Sequence, residues 1–204
     1  MPKGIFSERS ALPLVCHPDT PAPAVRCIEA RATRRSEGRL ALSFRLCGTL
    51  HRLRLPPITC AGRADGLWQH TCFEAFIAFA GRTNYLEFNF SPSGQWAAYA
   101  FSDYRQRDLQ ADPPGAPNIR INRGKDSLTL EVLLSGDALA MAGGARPLRL
   151  GLSAVIEPST GQLSYWALRH PGGQVLPKPD FHHPHTFVLE LPAESLQCPP
   201  SSLD

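Results

Sequence analysis

The chain has 204 residues, of which 43% are hydrophobic and 19% charged, with a formal net charge of +3. That length gives room for one full-sized core and falls short of what two independent domains need. The composition excludes disordered and fibrous classes, and arginines scattered without a run offer no track for a phosphate backbone. No apolar stretch approaches the roughly 20 residues of a membrane span, and residues 1–14 lack the charged-then-apolar layout of a secretory signal. The expectation is one domain over 1–204, soluble and cytoplasmic, with no nucleic-acid or membrane partner. Oligomeric state is not legible. Six cysteines (Cys16, Cys27, Cys47, Cys60, Cys72 and Cys198) would invite a disulfide framework in a secreted chain. Without a signal they read as free thiols, with Cys27, Cys47 and Cys72 placed as buried strand residues.

In chain order, residues 1–24 end in a proline-rich stretch (Pro13, Pro18, Pro21, Pro23) that reads as an extended lead-in. A strand is expected from Val25 to Ala32. Leu40, Leu42, Phe44 and Leu46 alternate with small or polar residues, the period of a half-buried strand, and Leu50–Leu55 is expected to pair back onto it. Cys72–Ala80 is almost continuously apolar, which suits a strand covered on both faces and makes Glu74 conspicuous. Leu86, Phe88 and Phe90 then alternate with Tyr85, Glu87 and Asn89, giving a strand with one polar face. The turn Ser91-Pro92-Ser93-Gly94 leads into Trp96–Phe101, where small and aromatic residues alternate.

Tyr104–Pro117 reads as a long exposed loop. Three strand patterns follow, at Asn118–Asn122, Ser127–Leu134 and Pro147–Ile156, with one short helix in Gly136–Ala142. The pattern closes with strands at Leu163–Leu168 and Thr186–Leu191 and a flexible tail over 192–204. About ten short strands with tight turns and little helix predict an all-β, antiparallel sandwich, immunoglobulin-like or jelly-roll.

No Gly-rich loop joins a strand to a helix, and no nucleophile elbow is present; no catalytic residue is identified. The residues that could hold a ligand are polar or aromatic groups on or beside apolar strands: Trp68, His70, Glu74, Glu87, Asn89, Arg105, Trp166 and His182. An indole plane covers the apolar face of a sugar ring, while carboxylates and amides take its hydroxyls. Either tryptophan could equally be core, as Trp96 is expected to be, and a carboxylate paired with an arginine is the bland account of the polar set. Glu74 and Glu87 could also form the two facing carboxyls of a glycosidase. The run Asp180-Phe181-His182-His183-Pro184-His185 could bind zinc or copper, although histidines before a proline more often form a rigid loop. Met141 with a histidine could ligate haem.

The segments Leu67-Trp68-Gln69-His70-Thr71-Cys72-Phe73-Glu74 and Tyr85-Leu86-Glu87-Phe88-Asn89-Phe90-Ser91-Pro92-Ser93-Gly94, with Ser164–Leu168 and Pro179–His183, resemble bacterial DOMON-like proteins related to family 9 carbohydrate-binding modules. The resemblance implies a β-sandwich and non-catalytic binding of a small ligand, most simply a sugar held between Trp68 and Trp166 with Glu74 as polar contact and no cofactor. It departs at Thr71-Cys72, where those modules carry acidic residues, which puts an associated calcium site in doubt. Other DOMON relatives bind haem, the alternative the resemblance leaves open.

Overall fold

A computed structural model describes residues 11–140, 146–171 and 179–193. The described residues form thirteen strands: β1 (Leu12–Cys16), β2 (Val25–Arg34), β3 (Leu40–Gly48), β4 (Gly62–Arg63), β5 (Cys72–Phe79), β6 (Tyr85–Phe90), β7 (Gln95–Asp103), β8 (Gln106–Asp108), β9 (Asn118–Arg123), β10 (Ser127–Leu134), β11 (Leu148–Ile156), β12 (Ser164–Ala167) and β13 (Leu189–Leu191). One short helix, α1 (Gly136–Ala140), is the only α-helix among the described residues. None of those residues forms a helix long and apolar enough to cross a membrane.

The strands run in the order β4-β7-β6-β5-β11-β12-β1-β2-β3-β10-β9, with β13 beside β11 and β8 beside β7. All ladders are antiparallel except the two-residue pairing of β4 with β7. The path curls into two layers at β1. Leu12, Pro13 and Leu14 pair with β2 in the first layer, and Val15 and Cys16 pair with β12 in the second. One strand thus belongs to both sheets, a corner of the kind that lets a twisted sheet fold onto itself.

Period-two alternation builds the core between the layers. Ile28, Leu42, Phe44 and Leu130 from the first layer meet Phe73, Phe88 and Leu152 from the second in one buried cluster. Phe44 and Phe73 stack across it, with ring centroids 5.2 Å apart. Fully burying one such side chain stabilises the fold by roughly 1.5–3 kcal/mol. All eight residues of β5 are buried, because its second face is covered as well. That outer cover is a smaller apolar cluster on the back of the second layer, including Phe76, Tyr85, Tyr99, Phe101, Val155, Phe181 and Phe187.

Several expectations need correction. Leu50–Leu55 does not pair with β3; Leu50–Arg52 is a single 3-10 turn and Leu53 makes one bridge to Pro158. The proline-rich lead-in carries β1, since Pro13 costs little in a five-residue strand that must change sheets. The loop after Tyr104 turns straight into β8 through Arg105, which has φ 54, the left-handed region uncommon for a residue with a side chain. Cys47 and Cys72 are buried, Cys27 is partly exposed, and the five described cysteines are free thiols. Met141 and most of the expected tail, 194–204, lie outside the described residues.

Candidate functional site

The outer face of the second layer carries an open cavity of about 720 Å³. Strand parity decides what reaches it. On β6 the core takes Leu86, Phe88 and Phe90, so Tyr85, Glu87 and Asn89 turn outward. Cross-strand register then sets the floor. Tyr99 lies opposite Glu87, and Glu87 opposite Phe76. One row along, Asn89 lies opposite Glu74, and Glu74 opposite Ser153. Val155 lies opposite Tyr165. Polar residues therefore occupy the middle of the floor, with Tyr99 on β7 and Tyr165 on β12 toward its two sides.

Loops raise the walls. Gly66, at φ 76, turns the chain into the 3-10 turn Leu67–Gln69, which presents Trp68 and Gln69. Trp68 is 42% exposed and meets Tyr99 edge to face at 5.9 Å. Tyr99 is itself held by a hydrogen bond donated to Asp65 Oδ1 at 2.7 Å, and the Arg107 guanidinium lies 4.8 Å from its ring centroid. Arg107 is anchored to Asp112 at 2.6 Å. Across the floor Tyr165 packs edge-on against Phe181 at 6.2 Å.

Arg105 and His182 close one end. Arg105 donates to Asp180 Oδ1 at 2.8 Å, and its backbone N–H donates to the Tyr85 hydroxyl oxygen at 3.1 Å. Burial alone would push the Asp180 carboxyl up, but hydrogen bonds from Tyr104 and Arg105 outweigh it and hold Asp180 below its ordinary value. The Tyr85 hydroxyl in turn meets His182 Nδ1 at 2.8 Å, where it can donate its proton while its oxygen accepts from Arg105. This network assigns the imidazole proton to Nε2, which lies 3.6 Å from Glu87 Oε2. Burial, and then the Arg105 charge, push His182 down to about 4, so that contact is a neutral imidazole beside a carboxyl and not an ion pair.

The two floor carboxyls differ. Glu74 accepts from the Ser153 hydroxyl at 3.0 Å, and burial, then the nearby Glu87, push it up to about 8. Burial also raises Glu87, against the Asn89 amide that donates to Oε1 at 2.8 Å and the charges of Arg107 and Arg105. The arrangement combines acceptor-rich polar groups with aromatic faces, which suits a ligand carrying hydroxyls on one side and an apolar face on the other.

Of the residues singled out from sequence, Trp68, Glu74, Glu87, Arg105 and His182 line this cavity. Asn89 is fully buried beneath it. His70 does not line it: its Nδ1 is 2.8 Å from Glu157 Oε2 on a surface that leaves the imidazole 69% exposed. Trp166 does not line it either. Its cross-strand partner Ala154 belongs to the core, and the indole follows it inward, 7% exposed, with Nε1 donating to Ser164 Oγ at 3.0 Å. Tyr165, one residue earlier, takes the outward place. Sequence reasoning also missed Gln69, Tyr99, Arg107 and Phe181. The signal for Tyr99 was present, because with Trp96 inside, alternation sends Tyr99 and Phe101 out.

Among the described residues no group of three or more His, Cys, Asp or Glu side chains could hold a metal ion. Haem does not fit the cavity's histidine either, since both nitrogens of His182 are directed at protein groups.

No protein-family model matches the chain, and no curated protein does. A solved Bacteroides uniformis protein proposed to bind carbohydrate is similar at a TM-score of 0.61 and 16% identity, over 87% of this chain and 83% of that one. Two structures of a family 9 carbohydrate-binding module from Caldicellulosiruptor kristjanssonii were also found. The glucose complex has a TM-score of 0.42 at 8% identity, covering 70% of this chain and 66% of that one. The cellotriose complex has a TM-score of 0.48 at 7% identity, covering 77% and 72%. The Bacteroides protein shares the all-β sandwich fold.

Proposed function

We propose that the cavity binds a small, hydroxyl-rich ligand, most simply a sugar, and that it does so without turning it over. The observation that carries this reading is the row of polar groups between aromatic residues on one sheet face: Glu87 and Glu74 in the floor, with Trp68, Tyr99 and Tyr165 around them. A sugar ring needs that combination, an aromatic face for its C–H surface and acceptors for its hydroxyls. The aromatic pair is then Trp68 with Tyr165 in place of two tryptophans. The carbohydrate-binding description of the Bacteroides uniformis neighbour points the same way.

The test is a tryptophan-fluorescence titration with neutral mono- and disaccharides. Trp96 and Trp166 are buried in the core, so Trp68 is the indole placed to report. A saturable change is expected, weakened at least tenfold in Tyr165→Ala and kept in Trp166→Phe, with the sugar recovered unchanged; in Trp68→Ala, which lacks the reporter, titration calorimetry should show the binding lost. No response to any sugar refutes the reading. Recovery of hydrolysed sugar replaces it with a glycosidase using Glu74 and Glu87.

A further inference from the structure

Asn89 is fully buried, and its amide orientation is fixed because Nδ2 donates to Glu87 Oε1 at 2.8 Å. Its Oδ1 therefore points away from Glu87, and it is buried with no donor among the described residues. An orphaned buried acceptor is expensive, so a donor is called for. Directly across the ladder lies Glu74, 3% exposed and on the same face. Side chains at opposed positions start from Cβ atoms about 4.5–5.5 Å apart, within mutual reach for Asn and Glu. On the far side of Glu74, the Ser153 hydroxyl already donates to Oε2. An ionised Glu74 would set a second carboxylate against an acceptor oxygen. A protonated Glu74 carries the one O–H that Asn89 lacks.

We propose that Glu74 is held as a neutral carboxylic acid that gives its O–H to Asn89 Oδ1, so that Asn89 sorts the two glutamates of the floor into one acid and one carboxylate. Asn89 can do this because its amide has one donating and one accepting end. The relay runs Ser153 to Glu74 to Asn89 to Glu87 across β11, β5 and β6. The shift of Glu74 to about 8, caused by burial and then by Glu87, agrees with it. The groups around Glu74 favour the same state. Glu87 on β6 disfavours a second negative charge there, while Tyr165 on β12 and Cys72 on β5, both raised, stay neutral and offer it no counter-charge. The cations Arg105 and Arg107 line the cavity and lower Glu87, whereas neither contributes to the shift of Glu74. His182, the imidazole in the cavity, is neutral and faces Glu87.

One consequence rests on the sugar-site reading above: a floor with a single carboxylate flanked by two guanidiniums selects an uncharged sugar over the ammonium form of an amino sugar.

The test of the protonation needs no ligand. In protein labelled with 13C at glutamate Cδ, one resonance should keep its acid form past pH 7 and titrate near pH 8, and it should be missing in Glu74→Gln. In Asn89→Ala the neutral form loses its acceptor and Glu87 loses its donor. Both effects favour ionised Glu74, so the midpoint should fall by at least a unit, a tenfold change in the ionisation constant. If every glutamate is ionised by pH 6.5, or the Asn89→Ala midpoint does not move, the proposal is overturned. Should Asn89→Ala fail to fold, Glu74→Gln decides the matter, because Gln supplies the same donor. A carboxyl raised in the fold makes stability fall as pH rises from about 4.5 to about 8. Glu74→Gln should therefore unfold like the native protein at pH 5 and later than it at pH 9; equal behaviour at both refutes the neutral acid. For the ligand arm, a neutral hexose should bind at least tenfold tighter than its 2-amino counterpart at pH 7, and a preference for the amino sugar overturns the selectivity. If neither sugar binds, the sugar-site reading fails while the carboxyl titration still stands.

Discussion

Replacing Trp166 and replacing Trp68 by alanine should separate fold from site. Trp166 is 7% exposed within the core shared by both layers, and its indole N–H is satisfied by Ser164. Truncating a buried tryptophan removes the transfer energy of the indole and leaves a cavity, about 3–5 kcal/mol together. For a chain of this size each kcal/mol moves the thermal midpoint by about 2–4 °C, so Trp166→Ala should melt roughly 6–20 °C early. Trp68 is 42% exposed and makes an edge contact with Tyr99 worth about 1 kcal/mol, so Trp68→Ala should melt within roughly 4 °C of the native protein. Scanning calorimetry with far-ultraviolet dichroism reads both. A Trp166→Ala midpoint that matches the native one would refute the parity argument that puts this indole inside.

Two further perturbations test the packing and the titration behaviour. A Cβ on Gly48 would lie 2.2 Å from the Ala24 carbonyl oxygen and 3.0 Å from Val25 Cα, where β3 meets the irregular start of β2. Gly48→Ala must shift backbone, and chemical denaturation should show a loss of about 1–3 kcal/mol; an unchanged midpoint would contradict that close approach. His182 sits at about 4 in the fold against an ordinary 6.5. Its contribution is full above pH 6.5 and is lost as pH falls through 4, because the unfolded chain takes up the proton first. The loss amounts to roughly 3 kcal/mol. Taken as the difference between native protein and His182→Gln at each pH, the opposite slope from Glu74 cancels; a difference that stays constant from pH 7.5 to 4 refutes the assignment.

Much of the architecture was legible because alternation was clean where one face was apolar. Leu86, Phe88 and Phe90 announce β6 and also send Glu87 and Asn89 to the opposite face, the one that became the floor. Trp166 was misread for want of the same argument. Adjacent residues of a strand cannot share a face, so the choice was between Trp166 and Tyr165, and aromatic size is no guide to which one turns inward. Its resolution needed the pairing with Ala154, a contact between separate strands that no local pattern encodes. Leu50–Leu55 carries a strand-like composition, yet β2 and β10 already occupy both edges of β3. Arg107, on the three-residue strand β8, and Phe181, in a turn, reach the cavity in directions set by tertiary contacts, Asp112 for the first and the aromatic cluster for the second.

The shared strand β1 gives the molecule an uneven mechanical build. Its five residues carry the hydrogen bonds of two ladders in series, three residues to β2 and two to β12. A pull on the chain just before Leu12 is borne by both layers through one ribbon, and detaching that ribbon bares β2 and β12 together. Each would then offer unpaired backbone groups to any neighbouring chain. Residues 12–16 thus act as a seal, closing a seam that neither sheet can close alone.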